Sequence, residues 1–188
     1  DLQEALSINL VLVGDIAKGR GDREVTRHYY ERARQIDEQL VARHPENARF
    51  ADNLGYSYQR LAHLLIWGQD DEGLRFELLL RRHRLAERLV AAQPDNLMRR
   101  YGLAVSYGDL GLHYATWRGD AAGAEPYLRA QLELTRQLVE ADPTNLHFRF
   151  GRALALRQQA DYEGCLCNFD LAATYDDEAC VEFERLHA

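Results

Sequence analysis

Apolar residues recur along this chain at helical spacing. Leu54, Tyr58, Leu61 and Leu65 advance by 4, 3 and 4 positions, and Leu103, Tyr107, Leu110 and Tyr114 repeat those steps 49 residues later. A 4-3-4 advance keeps side chains on one face of an α-helix, whereas a half-buried strand alternates with period 2, which no segment does. Val25, Tyr29, Ala33, Ile36 and Leu40 form a second kind of stripe, answered by Leu74, Leu78, Leu85 and Leu89. The breaks between stripes keep the same period. Pro45, Pro94 and Pro143 lie 49 residues apart, and each is followed two positions later by an asparagine, Asn47, Asn96 and Asn145. Proline ends one helix and asparagine caps the next. Gly21-Asp22, Asp70-Asp71 and Gly119-Asp120 mark a second set of turns at that interval. The pattern predicts eight helices, near 2–18, 22–43, 47–67, 71–92, 96–117, 121–141, 145–163 and 169–187, paired into repeats near 1–44, 45–93, 94–142 and 143–188 of a single domain.

Leu110-Gly111, Tyr114, Gly119-Asp120, Ala124 and Pro143 resemble the Leu-Gly, Tyr, Gly-Asp, Ala and Pro signature of tetratricopeptide repeats. Leu61-Ala62, Leu65 and Asp71 match it more loosely, as do Leu12, Gly21-Asp22, Tyr30 and Ala33. The repeat here is longer than the common one of about 34 residues, which resembles a long variant found in bacterial multidomain proteins. The resemblance implies an all-α, right-handed α-solenoid of about four antiparallel helix pairs, with a concave face that binds a protein or peptide partner and with no catalytic residues.

In such an array the first helix of each pair lines the groove. Counting from Leu61 and Leu110 places Asp52, Tyr56, Gln59, His63 and Ile66 inward in the second repeat. The third contributes Tyr101, Val105, Gly108, Leu112 and Ala115, and the fourth Phe150, Leu154, Arg157 and Asp161. This mixture suits an extended or helical peptide. The first helix differs, because Leu2, Leu6, Leu10, Val13 and their neighbours Ile8, Leu12 and Ile16 make it apolar nearly all round. A helix of that kind is buried. Leu2, Leu6, Leu10 and Val13 are therefore expected at an interface with an adjoining domain or a second copy. The first residue is not Met and no basic leader precedes the helix, so the sequence is expected to be a segment of a larger protein, acting as scaffold, sensor segment or regulatory domain.

Composition narrows the partner. The net charge of −7, with 30 acidic against 23 basic residues, disfavours nucleic acid, whose phosphates call for clustered cations. Lys18 is the only lysine, which disfavours a lysine clamp on a C-terminal carboxylate. No apolar run is long enough to span a membrane. Cys165, Cys167 and Cys180 are an odd set at one end and fit a reducing compartment, with the cytoplasm as the expected location. Cys165-x-Cys167, with Cys180 and His187, lacks the paired knuckles of a zinc site, so the cysteines are read as small buried hydrophobes. The scattered histidines form no catalytic motif, Asp70-Asp71 and Asp176-Asp177-Glu178 are explained by helix capping, and Trp67 and Trp117 are read as closing inter-helix turns. No cofactor, metal or catalytic residue is expected.

Overall fold

A computed structural model describes residues 2–67 and 71–186, with Trp67 by its backbone alone. Asp70, His187 and the side chain of Trp67, all used in the sequence reading, lie outside the described residues. Every regular element among the described residues is helical: α1 (Leu2–Gly19), α2 (Arg23–Arg43), α3 (Ala48–Leu64, ending in a 3-10 turn Leu65–Trp67), α4 (Glu72–Ala92), α5 (Leu97–Leu112, running into a π-helical turn His113–Trp117), α6 (Ala121–Ala141), α7 (Leu146–Cys165) and α8 (Phe169–Arg185). The bounds follow the expected caps. Asp22, Asn47, Asn96, Asp120 and Asn145 each accept a backbone N–H of the first helical turn on their side-chain oxygens, satisfying donors that the helix leaves open.

The chain divides into two compact units, Asp1–Leu89 and Val90–Ala188. In the first, α1 and α2 run antiparallel: Asp15 accepts from the Tyr30 hydroxyl at 2.5 Å near one end, and Gln3 accepts from Arg43 at 3.2 Å near the other. Helix α3 returns along α2, with the Ser57 hydroxyl donating to Asp37 at 2.5 Å and the ring of Phe50 edge-on to His44. It lies parallel to α1, to which it is tied by Arg49 and Asn53 on Glu4 and by Arg60 on Asp15. In the second unit α5 and α6 are antiparallel, with Arg100 donating to Gln137 at 2.6 Å. Helix α7 then packs on α6, where Phe148 joins Leu138 and Ala104 in one cluster and Tyr162 joins Ala124 and Leu128 in another. Finally α8 folds back along α7 through Arg149–Glu182 and Arg157–Asp176.

Glycine permits a close helix contact in each unit. A Cβ on Gly14 would sit 2.6 Å from the Tyr30 ring, and one on Gly111 would sit 2.6 Å from Leu128. Tyr30 and Leu128 are 98 residues apart but Gly14 and Gly111 only 97. The extra residue in α5 is taken up by the π turn at His113–Trp117, a known way of accommodating one insertion in an α-helix. The turn into α6 is consequently reached 23 residues after the Asn96 cap, at Gly119. The turn into α8 comes only 22 after Asn145, at Cys167. Gly21, Gly119 and Cys167 all adopt positive φ, at 78°, 60° and 62°, and all immediately precede the cap of the following helix.

This corrects the reading of the cysteines as small buried hydrophobes. Cys165, Cys167 and Cys180 are all exposed, because α7 ends at Cys165 and Cys167 occupies the left-handed turn position that glycine fills elsewhere.

Candidate interaction surfaces

Helices α3 and α7 spend much of their circumference on packing. In α3 the buried side chains are Phe50, Ala51, Leu54, Ser57, Tyr58, Leu61, Ala62 and Leu64. What remains is the stripe Asp52, Tyr56, Gln59 and His63, of which Tyr56 is 62% exposed and the others half-buried. Arg49, Asn53 and Arg60 of α3 also lie outside the core and are engaged with Glu4 and Asp15 of α1. In α7 the corresponding stripe is Phe150, Leu154, Arg157 and Asp161, all exposed. Phe150 meets Phe183 of α8 edge-on at 6.2 Å, and Arg157 lies between Asp161 at 3.4 Å and Asp176 at 3.6 Å. An apolar ring and a guanidinium therefore sit one turn either side of Leu154, with carboxylates beside the cation.

The α5 stripe is more enclosed. Tyr101 is half-buried and packs toward Phe148 and His147 of α7, with ring centroids 5.8 and 6.3 Å away. Val105 and Leu112 are half-buried, while Gly108 is buried beneath Gln131 and Gln158. Tyr101 is accordingly a packing residue between α5 and α7 that shows one edge to solvent.

At the N-terminus the distribution of polarity is inverted. The buried face of α1 consists of Glu4, Ser7, Leu10, Gly14 and Ala17. Leu10, expected at an interface, instead points into the core at 7% exposure. Leu2, Leu6 and Val13 are exposed, together with Ile8, Leu12 and Ile16. Glu4 is buried with both carboxylate oxygens engaged by Arg49, one at 2.6 Å from Nη2, and with Asn53 at 3.2 Å. Small and polar side chains thus let α1 approach its neighbours closely, and the large aliphatic ones are left outside. The Glu4–Arg49 clamp was not foreseen from the sequence; its trace was Glu4, the acidic residue in the first turn of a largely apolar helix.

Other clusters are internally satisfied. Tyr114 stacks on Tyr127 at 5.5 Å with Arg118 over its outer face, and His113 stacks on Trp117 at 6.4 Å, where Trp117 closes the π turn. A shallow cleft of about 370 Å³ is lined by Arg152, Leu156, Asp177, Glu178, Val181, Glu182 and Arg185, but Arg152 is paired with Glu178 and Arg185 with Glu182. Among the described residues no three His, Cys, Asp or Glu side chains are grouped to hold a metal ion, and no helix is long and apolar enough to cross a membrane.

No protein-family model and no curated protein matches the sequence. Among solved structures, the chain is similar to a thermophilic tetratricopeptide-repeat protein of Thermus thermophilus. The two share 17% identity with a TM-score of 0.44, over 96% of this chain and 81% of that one.

Proposed function

We propose that this chain is a non-enzymatic protein-interaction module in which each unit offers a peptide or protein segment the exposed stripe of a first-of-pair helix, Asp52, Tyr56, Gln59 and His63 on α3 of the first unit and Phe150, Leu154 and Arg157 on α7 of the second. The observation that carries this reading is Tyr56. It is a large ring, 62% exposed, at the middle of a helix whose other large apolar side chains are buried. Tyrosine offers contact area with little rotamer entropy to lose on binding, and exposed rings of this kind are favoured anchors in interfaces. On α7 the corresponding place is taken by Leu154, 38% exposed, and Phe150, 48% exposed, lies one turn before it. Arg157, 59% exposed at its side chain, adds a fork suited to a carboxylate on the ligand, in exchange for the long contacts to Asp161 and Asp176. The partner is accordingly a peptide with apolar anchors and at least one acidic side chain, and the module acts as scaffold or sensor in a larger assembly.

The test is selection from a random peptide library on the purified chain, followed by titration of the selected peptides. Tyr56→Ala and Phe150→Ala should each weaken, at least tenfold, the binding of peptides held by the unit that carries the residue, as expected for anchor residues. Arg157→Glu should weaken acidic peptides selectively. Equal affinity of correctly folded variants and wild type would show that the stripes are not the binding surface.

A further inference from the structure

On α3, residues 50, 54, 57, 61 and 64 advance by 4, 3, 4 and 3, and on α7 so do 148, 152, 155, 159 and 162. This face rests on the second helix of the preceding pair. Ser57 meets Asp37 of α2, and Phe148 and Tyr162 pack on α6. The same steps on α1 select Leu2, Leu6, Asn9, Val13 and Ile16. Here they are exposed, the apolar ones from 88% at Leu2 to 41% at Val13. The outward face of α1 is therefore a helix-docking face built to the pattern of its counterparts, with one polar side chain at its centre.

We infer that this face binds the same face of a second copy, the two α1 helices packing antiparallel about a two-fold axis at Asn9. Several observations select that occupant. The stripe reads nearly the same in both directions from Asn9: Leu2 falls opposite Ile16 of the second copy, Leu6 within one residue of Val13, and Asn9 opposite Asn9. That is the self-complementarity an isologous contact demands. The stripe carries no charged residue from Leu2 to Ile16, so two copies meet without like-charge repulsion. An amide is both donor and acceptor, so Asn9 can pair with itself across the axis, and a single polar residue in an apolar helical seam fixes register and orientation at some cost in affinity. In the isolated copy its Nδ2 donates back to the Ala5 carbonyl at 2.8 Å, leaving Oδ1 available.

The contact is modest in size. Helix α1 has 18 residues, so it is about 27 Å long and about 10–12 Å wide with side chains, and a lengthwise contact covers about 300 Å² of each copy. Stable complexes bury about 800 Å² per partner. The dimer is consequently reversible and concentration-dependent.

Sedimentation of the whole chain, from low micromolar to near-millimolar concentration under reducing conditions, should show a monomer–dimer equilibrium. Leu6→Asp and Val13→Asp should each weaken it at least tenfold, and Asn9→Leu should strengthen it. With the three native cysteines changed to serine, Asn9→Cys should form a disulfide-linked dimer on mild oxidation, whereas Gln3→Cys should not. A chain that stays monomeric throughout would overturn the inference, as would a dimer indifferent to Leu6→Asp and Val13→Asp in variants with wild-type circular dichroism. A dimer that resists Asn9→Cys cross-linking would overturn the proposed axis. The inference does not depend on the peptide-binding reading: Val13→Asp should leave peptide affinity unchanged, and Tyr56→Ala should leave the mass unchanged.

Discussion

Replacing Cys167 by glycine should stabilise the protein. Cys167 sits at φ 62° in the turn between α7 and α8, where Gly21 and Gly119 stand in the corresponding turns. In that conformation the Cβ of an L-residue crowds the backbone, at a cost of about 1–2 kcal/mol, which glycine escapes. Glycine gives back about 0.5–1 kcal/mol through the greater freedom of its unfolded chain. The net gain is about 0.5–1 kcal/mol. With a urea dependence of about 2 kcal/mol per molar, the unfolding midpoint should rise by about 0.3–0.5 M. The thiol is exposed, so its removal costs little packing. Cys167→Ala provides the control, because it removes the thiol while keeping the Cβ that creates the strain. The assay is urea unfolding under reducing conditions, followed by circular dichroism, with all three proteins measured together. Gly119→Ala should move the opposite way, although no atom lies within 4 Å of the added Cβ, because the penalty is conformational and not steric. If Cys167→Gly is no more stable than Cys167→Ala, the left-handed turn does not carry the strain assigned to it.

Gly111→Ala should destabilise the second unit by about 1–3 kcal/mol, as over-packing does, because its Cβ would lie 2.6 Å from Leu128; Gly111→Ala combined with Leu128→Ala should recover part of the loss in a double-mutant cycle. Burial pushes the Asp37 carboxyl above the ordinary carboxylate range, against the opposing hydrogen bond from Ser57. The folded state therefore holds this proton more tightly than the unfolded chain, and Asp37 costs stability progressively as pH rises past about 4, the unfolded value. Asp37→Asn should accordingly gain on wild type between pH 4 and pH 7 in urea midpoints; a constant difference across that range would refute the assignment. Deleting Thr116, exposed in the π turn, should restore a plain α-helical ending like that of α7 and leave the thermal midpoint within a few degrees of wild type, whereas deleting buried Ala104 should abolish cooperative unfolding.

Helix positions were legible because their signals are local. Proline followed by asparagine fixes where α2, α4 and α6 end and where α3, α5 and α7 begin, and the 4-3-4 advance identifies which face packs. The π turn was not legible. It adds one residue between Gly111 and Gly119 without disturbing the turn markers, so a strict 49-residue count aligns Leu12 with Leu110 when the packing of Gly14 and Gly111 aligns Val13 with it. That slip of one residue rotates a helix by about 100°. The exposed cysteines escaped for a related reason, since the turn after α7 comes one residue early and puts Cys167 where the period would not place it. Hydrophobicity alone misled at α1, where composition says that the helix is buried but not by what. Its own unit takes the small and polar face, Glu4, Ser7, Gly14 and Ala17 with Leu10, because close helix approach and the Arg49 clamp require those residues. The large aliphatic side chains are too bulky for that contact and carry no polar group that it needs. Their arrangement about Asn9 is therefore available for an association that the packing within the chain does not use.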